Sequence, residues 1–169
     1  SQLVTAAFAL TSTLMVSVSQ AAEATPSVVI VHGAFADGSD WAKVVPYLQA
    51  EGVAVTVVQN PLTSLADDAG RTRKMIRQID GPVLLVGHSY GGLLGAQILL
   101  TEPEIFNAYI LGSPSFWYDQ KYLLREAPGL LDQQHAINAD VYLYVGEFEA
   151  LRTGDNRYQQ EVDMVVDNR

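Results

Sequence analysis

Residues 83–92, VLLVGHSYGG, join an apolar run to a serine that lies between glycines. The apolar run is typical of a buried strand, and Gly87 and Gly91 surround Ser89 in the pattern G-x-S-x-G. This pattern is typical of a sharp strand-to-helix turn, because glycines avoid Cβ clashes with neighbouring backbone. Such a turn exposes the serine hydroxyl above the sheet, at the start of the next helix. Ser89 is therefore a candidate nucleophile, and the alternative is a glycine-rich turn with an inactive serine.

Strand-like and helix-like segments alternate along the rest of the chain. Predicted strands lie within 27–33, 53–59, 82–88, 106–115 and 140–147, and predicted helices at 41–52, with Pro46 as an irregularity, 65–79 and 91–103. Apolar strands followed by helices indicate a parallel sheet that is covered on both faces. We therefore predict an α/β fold, a doubly wound, mostly parallel five-stranded sheet with helices on both faces. Ligands of such sheets bind at the carboxyl ends of the strands.

Composition and charge restrict the function classes. The 169 residues suit one domain, and 49% hydrophobic with 17% charged residues is typical of a globular chain. The net charge of −9 argues against nucleic-acid binding, because few basic groups are available to neutralise phosphates. The chain has no cysteine, no H-x-x-x-H spacing and no glycine-rich phosphate motif. We therefore predict no metal and no cofactor, and interpret Asp67 and Asp68 as residues of a helix N-terminus.

The first residues differ from the rest of the chain. Residues 1–25 are apolar and small, interrupted by Ser and Thr, and end in alanine-rich tripeptides. This composition is typical of the core and cleavage zone of a secretory signal peptide, so we interpret the segment as a signal-peptide remnant. The prediction implies a secreted or periplasmic protein that begins near 22–25 and has no stable membrane span. The alternative is a buried or membrane helix.

A nucleophilic serine needs hydrogen-bond donors for the oxyanion that forms on attack. The backbone N–H of Tyr90, at the predicted helix start, is one candidate. The N–H of Ala34, in the loop after the first strand, is the second, with Phe35 as an alternative donor. His32 closes that first strand, and we interpret it as a turn histidine bonded to backbone.

The aromatic cluster after the fourth strand has two interpretations. Phe116 and Trp117 line a substrate site together with Phe35, or the cluster packs as a cap.

Two parts of the chain resemble known families. Residues 27–92, from VVIVHGAFADGSDW to GPVLLVGHSYGG, resemble the α/β-hydrolase superfamily and, within it, bacterial relatives of the methyl-esterase and hydroxynitrile-lyase group. Residues 93–150, with the phrase GSPSFWYD, resemble putative esterases of the enterobactin and feruloyl esterase type. The two resemblances meet at HSYGG, which suggests a recombined, shuffled or misassembled sequence. The superfamily resemblance implies the local strand order 2-1-3-4-5 and a serine nucleophile.

The resemblance also implies a carboxylate that follows a late strand. It places this acid at Glu149, three residues past Gly146, with Glu147 and Asp155 as alternatives. A solvated acidic loop remains an equally good interpretation of the same residues, because the chain carries 19 carboxylates.

The general base is normally a histidine that follows the acid. The histidines of this chain are His32, His88 and His135, and none follows Glu149. We therefore expect the domain at 26–169 to be truncated, without its final strand, its final helix and its base. An exposed edge of the fifth strand would then invite self-association.

These observations lead to two hypotheses of different classes. The first is a serine-type carboxylic-ester hydrolase that acts through an acyl-enzyme on a small-molecule ester. The alternative is a catalytically inactive hydrolase-like fragment that lacks the triad histidine. Lyase chemistry on a cyanohydrin is a third option, which rests on fold analogy alone.

Overall fold

The computed structural model describes residues 25–133, 136–146 and 149. Its strands are β1 (Ser27–Val31), β2 (Val55–Val58), β3 (Val83–His88), β4 (Ala108–Gly112) and β5 (Asp140–Tyr144). Its α-helices are α1 (Val45–Ala50), α2 (Leu65–Ile76), α3 (Tyr90–Thr101) and α4 (Tyr118–Asp132). The strands form one parallel sheet in the order β2-β1-β3-β4-β5. The predicted fold class and strand order are therefore confirmed.

The strand order explains why helices cover both faces. The chain moves from β1 to β2 in one direction along the sheet and from β2 through β3 and β4 to β5 in the other. Because crossovers between parallel strands are right-handed, α1 lies on one face and α2, α3 and α4 lie on the other. Side chains of β1 are consequently buried on both faces, and Val29 and Ile30 have no exposed surface. In β3 and β4, buried residues alternate with half-buried ones, so one face of these strands is covered more completely than the other.

The predicted helix at 41–52 is shorter in the structure. A 3-10 turn at Gly38–Trp41 comes first, and α1 begins only at Val45. Pro46 lies in the first turn of α1, where its missing N–H would have no helical partner anyway. Pro46 therefore starts this helix and does not interrupt it.

Helix α4 is absent from the sequence-based prediction. Its backbone departs from helical geometry at Asp119, Gln120 and Lys121, whose φ angles are 46°, 54° and 61°. Leu123 is the buried residue of this helix, and Pro128 lies inside it. Pro128 and Gly129 lie inside the segment, and such residues normally indicate the end of a helix.

Several predictions fall on residues outside the described part of the chain. These are the leader at 1–24, His135, Glu147 and Asp155. The domain prediction for 26–169 also depends on the undescribed residues 150–169, and it stays a prediction. Within the described residues, no helix is long and apolar enough to cross a membrane.

Backbone segments of β1, β3 and α3 touch where the strands end. A Cβ at Gly91 would overlap the carbonyl oxygen of Val31, and a Cβ at Gly87 would overlap that of Gly91. A Cβ at Gly92 would lie 2.8 Å from the carbonyl oxygen of Gly112. These neighbours are backbone atoms and cannot rotate aside, so glycine is required wherever the helix meets the strands.

We predict that Gly91→Ala lowers the free energy of unfolding by about 2–3 kcal/mol, because the added methyl must push α3 away from β1. Gly70→Ala is the matched control, since nothing lies within 4 Å of the Cβ position on α2. That control should raise stability by about 0.5–1 kcal/mol through its better helix propensity. Urea denaturation followed by circular dichroism measures both, and an equal loss in the two variants would contradict the close approach.

Candidate active site

Ser89 occupies the turn between β3 and α3 in a strained conformation. Its backbone angles are φ 56° and ψ −117°, a region that costs a residue with a Cβ about 1–3 kcal/mol. Two hydrogen bonds hold it there: the Ser89 N–H donates to Gly112 O at 2.9 Å, and the Leu93 N–H donates to Ser89 O at 3.0 Å. The turn therefore has the geometry that the G-x-S-x-G pattern predicts.

An open cleft of about 490 Å³ adjoins this serine. Ala34, Phe35, Trp41 and Tyr144 line it together with Ser89. The loop after β1 lies directly beside the serine, because a Cβ at residue 33 would be 4.0 Å from Ser89 Oγ. The structure thus brings the predicted residues Ser89, Ala34 and Phe35 into one cleft at the carboxyl ends of the strands.

The two candidate oxyanion donors are backbone amides. Within residues 25–133, 136–146 and 149, no backbone carbonyl accepts a hydrogen bond from the N–H of Ala34 or of Tyr90. Tyr90 is the first residue of α3, where the helix leaves its N–H groups without helical partners. Ala34 also lines the cleft, whereas Tyr90 is buried beside it in the sequence position that follows Ser89.

The side chain of Tyr90 points into the protein. Only 4% of the residue is exposed, and its hydroxyl donates to Asp68 Oδ2 at 2.8 Å. Its ring packs edge-to-face against Tyr118, with the centroids 5.8 Å apart. Burial, reinforced by the hydrogen bond to Asp68, raises the pKa of Tyr90 well above its usual range. The side chain of Tyr90 therefore anchors the turn and does not line the cleft.

The loop after β4 contributes Ser113 and Ser115, and the sequence analysis missed the second of them. Ser115 Oγ lies 3.1 Å from Ser89 Oγ, within hydrogen-bond distance. Ser115 is 6% exposed, and its N–H donates to the carbonyl of Ser89 at 3.2 Å. Ser113 adopts a φ of 41° two residues earlier. The sequence signal was the phrase GSPS at the carboxyl end of a predicted strand.

Glu149 contacts this same loop. Its Oε1 accepts a hydrogen bond from Ser113 Oγ at 2.7 Å, and its N–H donates to Gly146 O at 3.0 Å. The residue is exposed. The predicted acid therefore lies at the same edge of the sheet as Ser89, bound to a loop that also contacts the serine.

The histidines occupy different surroundings. His32 is buried, its Nδ1–H donates to Gly33 O at 2.8 Å, and its Nε2 accepts from the Asn60 N–H at 3.1 Å. This arrangement confirms the interpretation of His32 as a turn histidine bonded to backbone. His88 is exposed and borders the cleft, and His135 lies outside the described residues.

The remaining aromatic candidates lie apart from the cleft. Phe116 packs against the hydrophobic core, Trp117 is half-buried, and neither lines the cleft next to Ser89. In the described part of the chain, no group of three or more His, Cys, Asp or Glu side chains could hold a metal ion.

This combination of sheet order and serine turn agrees with the family comparison. Residues 28–164 match the model of the alpha/beta hydrolase family, and the chain belongs to that family.

Its relatives include proteins named as siderophore esterases. The chain is 46% identical over 48 residues to the siderophore triacetylfusarinine C esterase of Aspergillus fumigatus, which covers 28% of this chain and 16% of that protein. It is 36% identical over 67 residues to the ferri-bacillibactin esterase BesA of Bacillus subtilis, which covers 38% of this chain and 23% of that protein. The matches thus span less than a quarter of either relative.

The structure is also similar to that of the siderophore hydrolase EstA from Aspergillus nidulans. The TM-score is 0.58 at 18% identity, over 83% of this chain and 65% of that one. At this identity, the likeness shows a shared fold.

We predict that Tyr90→Phe lowers the free energy of unfolding by about 1–3 kcal/mol, because the buried Asp68 carboxylate loses its donor. Tyr109→Phe is the matched control. Tyr109 is equally buried, but its hydroxyl has no partner among the described residues, so its removal should be close to neutral. Urea denaturation at neutral pH compares the two variants, and equal losses would contradict the anchoring role of Tyr90.

The raised pKa values of Tyr90 and Tyr109 predict that the free energy of unfolding falls at alkaline pH. Burial raises the pKa of both phenols, so the folded protein keeps protons that the unfolded chain releases above its ordinary pKa of about 10. The free energy of unfolding should be insensitive to these groups below that pH and should fall above it. Each Tyr→Phe variant should flatten the decline in denaturation curves measured between pH 8 and 11, and an unchanged slope in both would contradict this origin.

Proposed function

We propose that the chain is a serine-type carboxylic-ester hydrolase that acts on a small-molecule ester through an acyl-enzyme. The observation that carries the proposal is the strained Ser89, which lines a cleft together with Ala34 and directly precedes the first residue of α3. Membership of the alpha/beta hydrolase family and relatives named as esterases support it.

The proposed reaction begins with attack of Ser89 Oγ on the ester carbonyl. As the Oγ–C bond forms, the carbonyl π electrons move to oxygen and the serine proton passes to a general base. The intermediate collapses with departure of the alcohol, which takes that proton. Water then attacks the acyl-enzyme in the same way and releases the acid together with free Ser89.

The N–H groups of Ala34 and Tyr90 would stabilise the oxyanion of each intermediate. Preorganised amides stabilise such charge without reorganisation, and loss of one such donor costs on the order of 10²–10³ in rate. The position of residues 33 and 34 beside Ser89 and the place of Tyr90 at the start of α3 support this assignment.

Glu149 is the proposed acid that would orient the base. Its contact with Ser113, in the loop that contacts Ser89, supports this role. The resemblance to the α/β-hydrolase superfamily implies that the general base is the imidazole of a histidine. Both ring nitrogens of His32 already bond to backbone, which leaves His88 and His135 among the histidines of this sequence.

The residues that line the cleft indicate which kind of substrate it can bind. Phe35, Trp41 and Tyr144 offer aromatic surface to an apolar acyl or alcohol group. We propose Phe35 as a substrate-binding residue on this ground. Phe116 and Trp117 keep the same proposed role from the sequence, although they lie apart from this cleft. The signal-peptide interpretation of 1–25 supports a secreted or periplasmic site of action.

We predict that a fluorophosphonate probe labels Ser89 of the folded chain and that Ser89→Ala abolishes labelling. The same substitution should remove hydrolysis of p-nitrophenyl butyrate, because the acyl-enzyme can no longer form. Mass spectrometry of the labelled peptide identifies the serine. Absence of labelling in a sample with native circular dichroism would contradict the proposal.

An inactive hydrolase-like fragment is the second candidate. It is favoured by the contact of Ser89 Oγ, whose side-chain partner in the described residues is another hydroxyl and not an imidazole. A serine without a base retains little of its rate, so this candidate predicts no ester turnover above the Ser89→Ala background.

We further propose that β5 pairs with a second copy of the chain. β5 is the edge strand of the described sheet, and Val141, Tyr142 and Leu143 are 45%, 65% and 48% exposed. Apolar edge strands with unpaired backbone groups favour edge-to-edge association.

We predict that the sedimentation coefficient rises with protein concentration and that Val141→Lys reduces this rise, because a charge on the edge opposes pairing. Tyr47→Lys is the control, since Tyr47 is 77% exposed on α1 at another surface. A monomer at every concentration, or equal effects of both substitutions, would contradict pairing through β5.

A further inference from the structure

We infer that Ser115 is a positioning residue for the nucleophile, and that its hydroxyl donates a hydrogen bond to Ser89 Oγ. The inference rests on the proposed function of Ser89. The two side-chain oxygens are 3.1 Å apart, and Ser115 is 6% exposed. A second bond, from the Ser115 N–H to the Ser89 carbonyl at 3.2 Å, joins the same two residues through the backbone.

The loop that carries Ser115 is held against the turn. The Ser113 N–H donates to Tyr144 O at 2.8 Å, which ties the start of the loop to β5. On the other side, a Cβ at Gly92 would lie 3.3 Å from the Cα of Pro114, so the loop packs directly on α3. Ser115 therefore reaches Ser89 from a fixed backbone, and its hydroxyl needs only to rotate to donate or accept.

The direction of this hydrogen bond decides its effect. A serine hydroxyl has one proton to donate and two lone pairs to accept with. If Ser115 donates, the proton of Ser89 stays free for the general base. The hydrogen bond also holds the Ser89 side chain in one rotamer, and a second lone pair of Oγ remains for attack on the carbonyl. If Ser89 donated instead, its proton would point away from the base. The donating arrangement is the productive one, because it leaves the reacting proton available.

Burial favours the donating arrangement. Within the described residues, Ser89 is the side-chain partner of the Ser115 hydroxyl, and a buried donor without an acceptor is unfavourable. Ser89, in contrast, borders the open cleft, where its own proton can reach another acceptor. The buried Ser115 hydroxyl thus donates to Ser89 Oγ, and the Ser89 hydroxyl donates to an acceptor in the cleft.

The test uses the second-order rate of fluorophosphonate labelling of the 169-residue chain. Ser115→Ala should label about tenfold more slowly, because Ser89 Oγ then samples other rotamers and is less often oriented for attack. Ser115→Thr keeps the hydroxyl and should recover most of the rate. With p-nitrophenyl butyrate, Ser115→Ala should slow the first-turnover release of p-nitrophenol. The substrate concentration that gives half of this first-turnover rate should be unchanged, because Ser115 contacts the nucleophile and not the substrate.

Two controls separate this inference from a purely structural role. Ser27→Ala makes the same chemical change at the opposite end of the sheet, where β1 begins, and should label at the wild-type rate. If Ser115→Ala loses its native circular dichroism, Ser115→Cys replaces it, because the thiol has a similar size and is a weaker donor. Slower labelling by that folded variant supports the inference.

The possible outcomes distinguish failure of the positioning role of Ser115 from failure of the proposed esterase function. Wild-type labelling at Ser89 together with an unchanged rate in the folded Ser115→Ala or Ser115→Cys variant overturns the role of Ser115 and leaves the proposed function intact. An unchanged first-turnover rate at saturating p-nitrophenyl butyrate in that folded variant also overturns it. A folded wild type that does not label at Ser89 overturns both.

Discussion

The contact between backbone atoms of β1, β3 and the first turn of α3 is the constraint on which the site depends. Glycines at 87 and 91 allow the helix to begin directly above the strand ends, with no side chain between them. This close approach forces Ser89 into a backbone conformation that a residue with a Cβ normally avoids. The strain is supported by the sheet, since Ser89 bonds to Gly112 on the neighbouring strand. Ser89 consequently lines the cleft where the strands end.

Two separate sets of polar contacts stabilise this turn. On the inner side, Tyr90 is fixed by Asp68 of α2 and by the ring of Tyr118. On the outer side, the loop after β4 contacts Ser89 through Ser115 and binds Glu149 through Ser113. The inner contacts hold the helix start in place, and the outer contacts join the serine to the region after β5. Ser89 and Tyr90 therefore each contact a residue more than 20 positions away in the chain.

The sequence predicted the parts of the site that follow from local pattern. Glycine spacing around Ser89 indicated the turn, and apolar runs ended by polar residues indicated the strands and the edge where ligands bind. His32 was correctly interpreted from its place at a strand end. Helix α4 was missed because its sequence contains Pro128, a residue that normally ends a helix. Ser115 was missed because its importance comes from a partner 26 residues away.

By itself, the sequence determined the α/β class, the turn at Ser89 and the glycines that permit it, because these depend on residues that are close in the chain. Only the tertiary structure decided which side chains meet at the serine. The parallel sheet brings the ends of β1, β3 and β4 to one edge, so the loops at 33–35 and 113–115 contact Ser89 from opposite sides. Such contacts join segments of the chain separated by tens of residues, and no local pattern of residues specifies them.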